Sequence, residues 1–90
     1  MNGAELIAAE RERQITEEGY TAEHDDGHAR DLMHASNAYV IEALYPGENL
    51  GVRSWPWLGE YWHPSEDNIR NLVKAGALIA AAIDSLQPKE

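Results

Sequence analysis

The segment from residue 65 to residue 87 has the pattern that most constrains how this chain can fold. Apolar side chains recur there at intervals of three and four residues, which predicts an α-helix. Its stripe comprises Ile69, Leu72, Val73, Gly76, Ile79, Ala80, Ile83 and Leu86. Positions off the stripe are apolar as well, namely Ala77, Leu78, Ala81 and Ala82. A helix that is apolar all round is normally buried on every side. We therefore expect a second copy of the chain to pack against the Ala-rich surface.

Two further helices are predicted before this segment, over residues 3 to 18 and 27 to 45. Asn2 and Glu5 resemble a capping box at the start of the first helix, and Gly19 is the expected residue at its end. Tyr45-Pro46-Gly47 ends the second helix, since proline and glycine cannot continue it. Residues 1–90 are thus predicted to form a single all-α domain of three antiparallel helices.

The segment of residues 46 to 64 has no helical period, yet it holds all three tryptophans. Long loops without structure are uncommon in compact domains, and disordered segments are poor in aromatic residues. We expect an ordered Trp-rich loop that packs on the helices.

Composition excludes several classes of function. The formal net charge is −9, and no cluster of Lys and Arg is available to bind the phosphate backbone of a nucleic acid. Cysteine is absent, which excludes disulfides and cysteine-built metal sites. No apolar run has the length of a membrane span, so we expect a cytoplasmic protein that does not bind membranes. A domain this small is marginally stable by itself, which favours a homo-oligomer formed through helix 3.

Four groups of residues are candidates for binding a metal, a phosphate or a base. Glu10, Arg13 and Gln14 share one face of the first helix, where a metal or a phosphate can bind. The alternative is a solvated charged face with intrahelical ion pairs.

The second group is His24-Asp25-Asp26-x-His28, which Asp31 and His34 extend by one helical turn. Imidazoles and carboxylates together suit Mn²⁺ or Zn²⁺. A loop with Asx turns, in which Asp25 or Asp26 caps the second helix, accounts for the same residues without a metal.

The third and fourth groups are aromatic and basic. Trp55-Pro56-Trp57, with Tyr61 and Trp62, presents indoles on which a base can stack, although at least one tryptophan is expected in the core. Arg53, Arg70 and Lys74 are candidate phosphate partners beside this loop, with surface solubility as the alternative.

Several strings together resemble a family of small uncharacterised phage and prophage proteins. They are ER-x-RQ (residues 10 to 14), Gly19-Tyr20, HDD-x-H (residues 24 to 28), WPW (residues 55 to 57) and LVKAGALI (residues 72 to 79). That family is in turn similar, more loosely, to the MazG-like all-alpha nucleoside triphosphate pyrophosphohydrolases, whose helices bind Mg²⁺ through paired glutamates. Helix 2 here has only Asp31, His34 and Asn37 at the relevant positions, and helix 3 only Asp84. The resemblance therefore implies a nucleotide pocket in which efficient catalysis has been lost, with no catalytic residue and no cofactor.

The leading hypothesis is a phage nucleotide-binding protein in the host bacterial cytoplasm. It would sequester a nucleotide second messenger of bacterial immunity, such as a cyclic ADP-ribose isomer or a cyclic dinucleotide. One alternative is a MazG-like pyrophosphohydrolase that uses Mg²⁺ or Mn²⁺, with His24, Asp25, His28 and Asp31 as candidate ligands. Another is a protein-interaction module that binds a host factor. The predicted ligand-binding residues are Glu10, Arg13, Gln14, Tyr20, His24, Asp25, His28, Trp55, Trp57, Trp62, Arg70 and Lys74.

Overall fold

Three α-helices form the framework of the molecule. The computed structural model describes residues 1–18 and 28–88. Helix α1 spans Gly3–Glu18, α2 spans Ala29–Leu44 and α3 spans Asn68–Leu86. The described residues contain no strand, so the predicted all-α fold is confirmed.

The start of α1 has the capping geometry that the sequence predicts. The backbone N–H of Glu5 donates to the Asn2 side chain at 2.9 Å, and the backbone N–H of Asn2 donates to the Glu5 carboxylate at 2.9 Å. Two backbone donors that the helix leaves unpaired are thereby satisfied. The proposed helix end at Gly19 and the proposed caps Asp25 and Asp26 lie outside the described residues.

Helix α2 begins at Ala29 with His28 in the cap position, and it ends at Leu44. The backbone N–H of Tyr45 still bonds to the carbonyl of Ile41 at 3.0 Å, after which the chain turns away. This is the break that Pro46 and Gly47 predict.

Helix α3 begins at Asn68, three residues later than predicted. Asp67 is its N-cap, and the Asp67 carboxylate accepts a hydrogen bond from the backbone N–H of Ile69 at 2.9 Å. Ser65 is held outside the helix because the Asn71 side chain bonds both its N–H, at 2.7 Å, and its carbonyl, at 2.8 Å. The prediction of a helix from residue 65 is wrong because this side-chain clamp competes with helical bonding.

Helices α2 and α3 run antiparallel and in close contact. The Ser36 hydroxyl donates to the carbonyl of Ala75 at 2.8 Å, and the Asn68 amide donates to the carbonyl of Ala43 at 3.1 Å. A side-chain bond from one helix to the backbone of the other requires a close approach. The small buried residues of the interface permit it, namely Ala35 on α2 and Ala75, Ala81 and Ala82 on α3.

This packing reverses the predicted roles of the two sides of α3. The Ala-rich side, expected to meet a second copy, is buried within the chain. Much of the bulky stripe is exposed instead, namely Ile69, Leu72, Ile79, Ile83 and Leu86. Both sides are apolar, so hydropathy alone does not distinguish them.

Helix α1 packs on another side of α3. The side chain of Ile7 lies over Gly76, where a Cβ atom would collide with it. The Arg11 guanidinium is 3.2 Å from the Asp84 carboxylate. These contacts hold α1 against α3.

The loop between α2 and α3 is ordered, as the sequence predicts. It forms two short 3-10 turns, at Leu50–Ser54 and Gly59–Tyr61. Gly51 lies directly on the backbone carbonyl of Ala38, in a space that no side chain can occupy. The loop is therefore anchored on the middle of α2.

None of the helices within residues 1–18 and 28–88 combines the length and hydropathy needed to cross a membrane.

Candidate functional site

The loop tryptophans and Tyr39 of α2 form one aromatic cluster. Trp55 lies at its centre, with ring centroids 5.8 Å from Tyr39, 5.1 Å from Trp57 and 5.2 Å from Trp62. The first two contacts are edge-to-face, the geometry that aromatic pairs prefer. All three indoles are half-buried against the core, so none is wholly interior.

The tryptophans differ in what they contact. The Trp62 ring lies 4.8 Å from the Tyr39 ring, and its N–H donates to the Asn49 side chain at 3.1 Å. Trp62 thus serves as a structural anchor and does not line the cleft described below, although it was a predicted ligand-binding residue. Trp55, whose N–H donates to the carbonyl of Leu58 at 3.0 Å, and Trp57 do line that cleft.

A buried carboxylate organises the cationic side of the site. The side chain of Glu10 is 1% exposed. Its Oε2 is 2.7 Å from Nη2 of Arg13, and its Oε1 is 2.6 Å from Nη2 of Arg70. One carboxylate thereby holds two guanidinium groups from different helices, each about a third exposed at its outer side.

The pKa of Glu10 is lowered by this arrangement. Burial by itself raises the pKa, but the hydrogen bonds and positive charges of Arg13 and Arg70 lower it by more. The net pKa lies below the ordinary value of 4.5, so Glu10 is ionised at neutral pH and the pair of arginines is held in place.

Gln14 completes this end of the site. It is buried, and its amide N–H₂ points toward the Glu10 carboxylate at a distance of 3.4 Å. Its carbonyl oxygen has no hydrogen-bond partner within residues 1–18 and 28–88. The predicted convergence of Glu10, Arg13 and Gln14 on one face of α1 is therefore present, with Arg70 of α3 added to it.

Lys74 connects the cationic and aromatic groups. Its ammonium lies 5.4 Å from the centroid of the Tyr39 ring, a cation–π distance. It also donates to the backbone carbonyl of His63 at 3.0 Å, which fixes the chain that leads from the loop into α3.

These groups line one cleft of about 1270 Å³. Small-molecule pockets in proteins usually measure about 300 to 1,000 Å³, so the cleft has room for a ligand the size of a nucleotide. Three cationic side chains and one carboxylate face it, in a chain whose formal net charge is −9. Its lining consists of Glu10, Arg13, Gln14, His28, Tyr39, Trp55, Pro56, Trp57, Leu58, Tyr61, His63, Arg70, Lys74 and Leu78.

Several lining residues were not predicted from the sequence. Tyr39 and Leu58 were not among the candidate site residues. Their positions depend on how the loop folds back on α2, a long-range feature without a local signal. In contrast, Arg53 was a candidate phosphate partner, but it is exposed and does not line the cleft.

The proposed metal-binding segment is described only in part. His28 is exposed, lines the cleft and lies 3.9 Å from the Asp31 carboxylate. His24 and Asp25, like the predicted ligand contact Tyr20, lie outside the described residues. Within residues 1–18 and 28–88, no three His, Asp or Glu side chains are grouped closely enough to hold a metal ion.

Comparison of the chain with protein-family models, with curated proteins and with solved structures found no match.

Proposed function

We propose that the cleft binds a nucleotide-type ligand, a flat ring that carries an anionic group, without efficient turnover. The observation that supports this most directly is the shared cleft itself. Trp55 and Trp57 line it with their aromatic rings, and Arg13, Arg70 and Lys74 line it with positive charge. Stacking on an indole and ion pairing with guanidinium are common interactions by which proteins hold bases and phosphates.

The carboxylate of Glu10 supports the anion part of this proposal. Two arginines alone would repel each other, and their long side chains would lose conformational entropy on ordering. Glu10 holds both guanidinium groups, and Glu17 also accepts a hydrogen bond from Nη1 of Arg13 at 3.1 Å, so the arginines are already positioned when a phosphate arrives. Preorganisation of this kind raises affinity by reducing the cost of binding.

The ligand class is tested by isothermal titration calorimetry with a set of fragments. ADP contains both ring and phosphates, adenosine lacks the phosphates, and ribose 5-phosphate lacks the ring. We expect ADP to bind at least tenfold more tightly than either fragment. A cyclic ADP-ribose isomer and a cyclic dinucleotide, added to the set, test the hypothesis that the protein sequesters an immune signal.

Two variants locate the binding site. Lys74→Gln removes a cleft cation without disturbing the Glu10 carboxylate, and it should weaken ADP binding severalfold. Arg53→Gln removes a cation outside the cleft and serves as the matched control. Equal losses in both variants, or no heat with any nucleotide, would contradict the proposal.

Turnover is measured separately, as release of phosphate or pyrophosphate from nucleoside triphosphates in the presence of Mg²⁺ or Mn²⁺. Binding without release is the expected result. Release that depends on the metal would favour the pyrophosphohydrolase alternative.

If every nucleotide fails to bind, the next candidate is a protein-interaction module. The exposed side chains of Leu58 and Tyr61, which line the cleft, favour that function.

A further inference from the structure

The exposed stripe of α3 points to an interaction outside the cleft, since none of its residues lines that cleft. Along this helix, Ile69, Leu72, Ile79, Ile83 and Leu86 have between 42% and 67% of their surface exposed. By comparison, the described part of the chain buries only four large apolar side chains in its core, namely Leu32, Tyr39, Val73 and Leu78. An apolar surface of this extent in a small domain indicates an interaction site.

The stripe occupies its own side of the helix. At 100° per residue, the side that meets α2 is centred near Leu78, and the side that meets α1 is centred near Ala77 and Asp84. The exposed side chains fall on the remaining third. Gly76 lies between Leu72 and Ile79 on this side of the helix, so it belongs to the same row of residues, and Ile7 of α1 covers it. Ile7 therefore supplies the apolar group that Gly76 lacks, and the apolar row is continuous.

The spacing of the row is that of a coiled-coil seam. From Ile69 the steps are three, four, three, four and three residues, through Leu72, Gly76, Ile79, Ile83 and Leu86. A regular 3.5-residue spacing keeps two helices in contact along their length. None of these six positions is charged, so pairing brings no carboxylate into the seam although the chain is strongly acidic.

The two ends of the row are complementary in shape. Beside Ile69 lies a groove of about 330 Å³, whose lining consists of the apolar Leu6, Ala9 and Val73 and the charged Glu10, Arg13, Asp67 and Arg70. At the other end, Leu86 protrudes with 67% of its surface exposed. The two ends are about 25 Å apart along the helix, so the leucine and the groove of one chain do not meet.

We propose that a second copy of this chain packs on the exposed stripe, antiparallel and related by a two-fold axis. In this register Leu86 of each copy enters the groove beside Ile69 of the other. Leu72 then faces Ile83, and Ile79 faces Gly76 with its covering Ile7. Any occupant must supply the same spacing and a large side chain for the groove, and a second copy supplies both. The two-fold axis closes the assembly at two subunits.

Oligomeric state is tested by sedimentation equilibrium of the full chain at concentrations of tens of micromolar. Leu86→Glu should convert the dimer to a monomer and raise the dissociation constant at least tenfold. Leu44→Glu is the matched control, since Leu44 is 64% exposed and also ends a helix, and it should remain dimeric. Circular dichroism of each variant verifies that the helices are retained. A wild-type monomer, or equal effects of the two variants, would overturn the proposal.

Because the chain has no cysteine, disulfide trapping tests the register. Ile69→Cys and Leu86→Cys are prepared separately, mixed and oxidised. The antiparallel register predicts a cross-linked pair in the mixture and little cross-linking of either variant alone. Cross-linking of Leu86→Cys with itself at the same rate would indicate a parallel arrangement and overturn this one. Nucleotide binding plays no part in either measurement.

Discussion

Nη2 of Arg70 lies 2.6 Å from Oε1 of Glu10, and this ion pair joins α3 to the buried face of α1. The two residues are sixty positions apart in the sequence. Arg13 approaches the other oxygen of the same carboxylate at 2.7 Å. The pair therefore has two consequences, one for the stability of the helix packing and one for the position of the cations in the cleft.

Replacement of Glu10 by Gln tests the first consequence. The substitution removes the charge that compensates Arg13 and Arg70, and it weakens hydrogen bonds to charged groups. We expect the free energy of unfolding to fall by about 1 to 3 kcal/mol in urea titrations. Glu17→Gln is the control, because Glu17 also pairs with Arg13, at 3.1 Å, but is 64% exposed. Its loss should stay below about 1 kcal/mol, and similar losses in both variants would contradict the central role of Glu10.

The lowered pKa of Glu10 predicts an acid-dependent part of the stability. A carboxyl group whose pKa is lower in the folded state stabilises the protein at pH values above its unfolded pKa. That contribution is lost as the pH falls below the ordinary value of 4.5 and through the folded pKa. The difference in unfolding free energy between the wild type and Glu10→Gln should thus be largest near pH 6 and shrink toward pH 3. A difference that stays constant over this range would argue against the pKa assignment.

The tryptophans should separate binding from stability. Trp57→Leu removes an indole ring from the lining of the cleft. Loss of one stacking contact corresponds to about 1 to 3 kcal/mol of binding free energy. ADP affinity should therefore fall at least fivefold, with a small change in melting temperature. Trp62→Phe removes the hydrogen bond to Asn49 outside the cleft, so it should lower the melting temperature and leave the affinity within twofold. The reverse pattern would show that the two roles are assigned wrongly.

The sequence predicted local features of this fold well and long-range ones poorly. Periodicity and breakers located three helices, because helical spacing and Pro46-Gly47 act within a few residues. The same pattern did not indicate which side of α3 faces α2, since alanine and isoleucine are both apolar and only close packing favours the smaller one. Glu10 and Arg13 lie one helical turn apart, so the sequence alone predicted that they share a face. The addition of Arg70 required the tertiary structure.

Gly51 is the position at which the Trp-rich loop rests on the backbone of α2. A Cβ atom at this position would overlap the backbone carbonyl of Ala38 and crowd the Trp62 ring. Backbone cannot move aside as a flexible side chain can, so Gly51→Ala should lower the free energy of unfolding by about 1 to 3 kcal/mol. Gly59→Ala is the matched control in the same loop, because a Cβ atom there has open space around it. Urea titration compares the two variants. Tryptophan fluorescence reports whether the aromatic cluster loosens. Equal stability of the two variants would mean that the loop does not rest on α2 at Gly51.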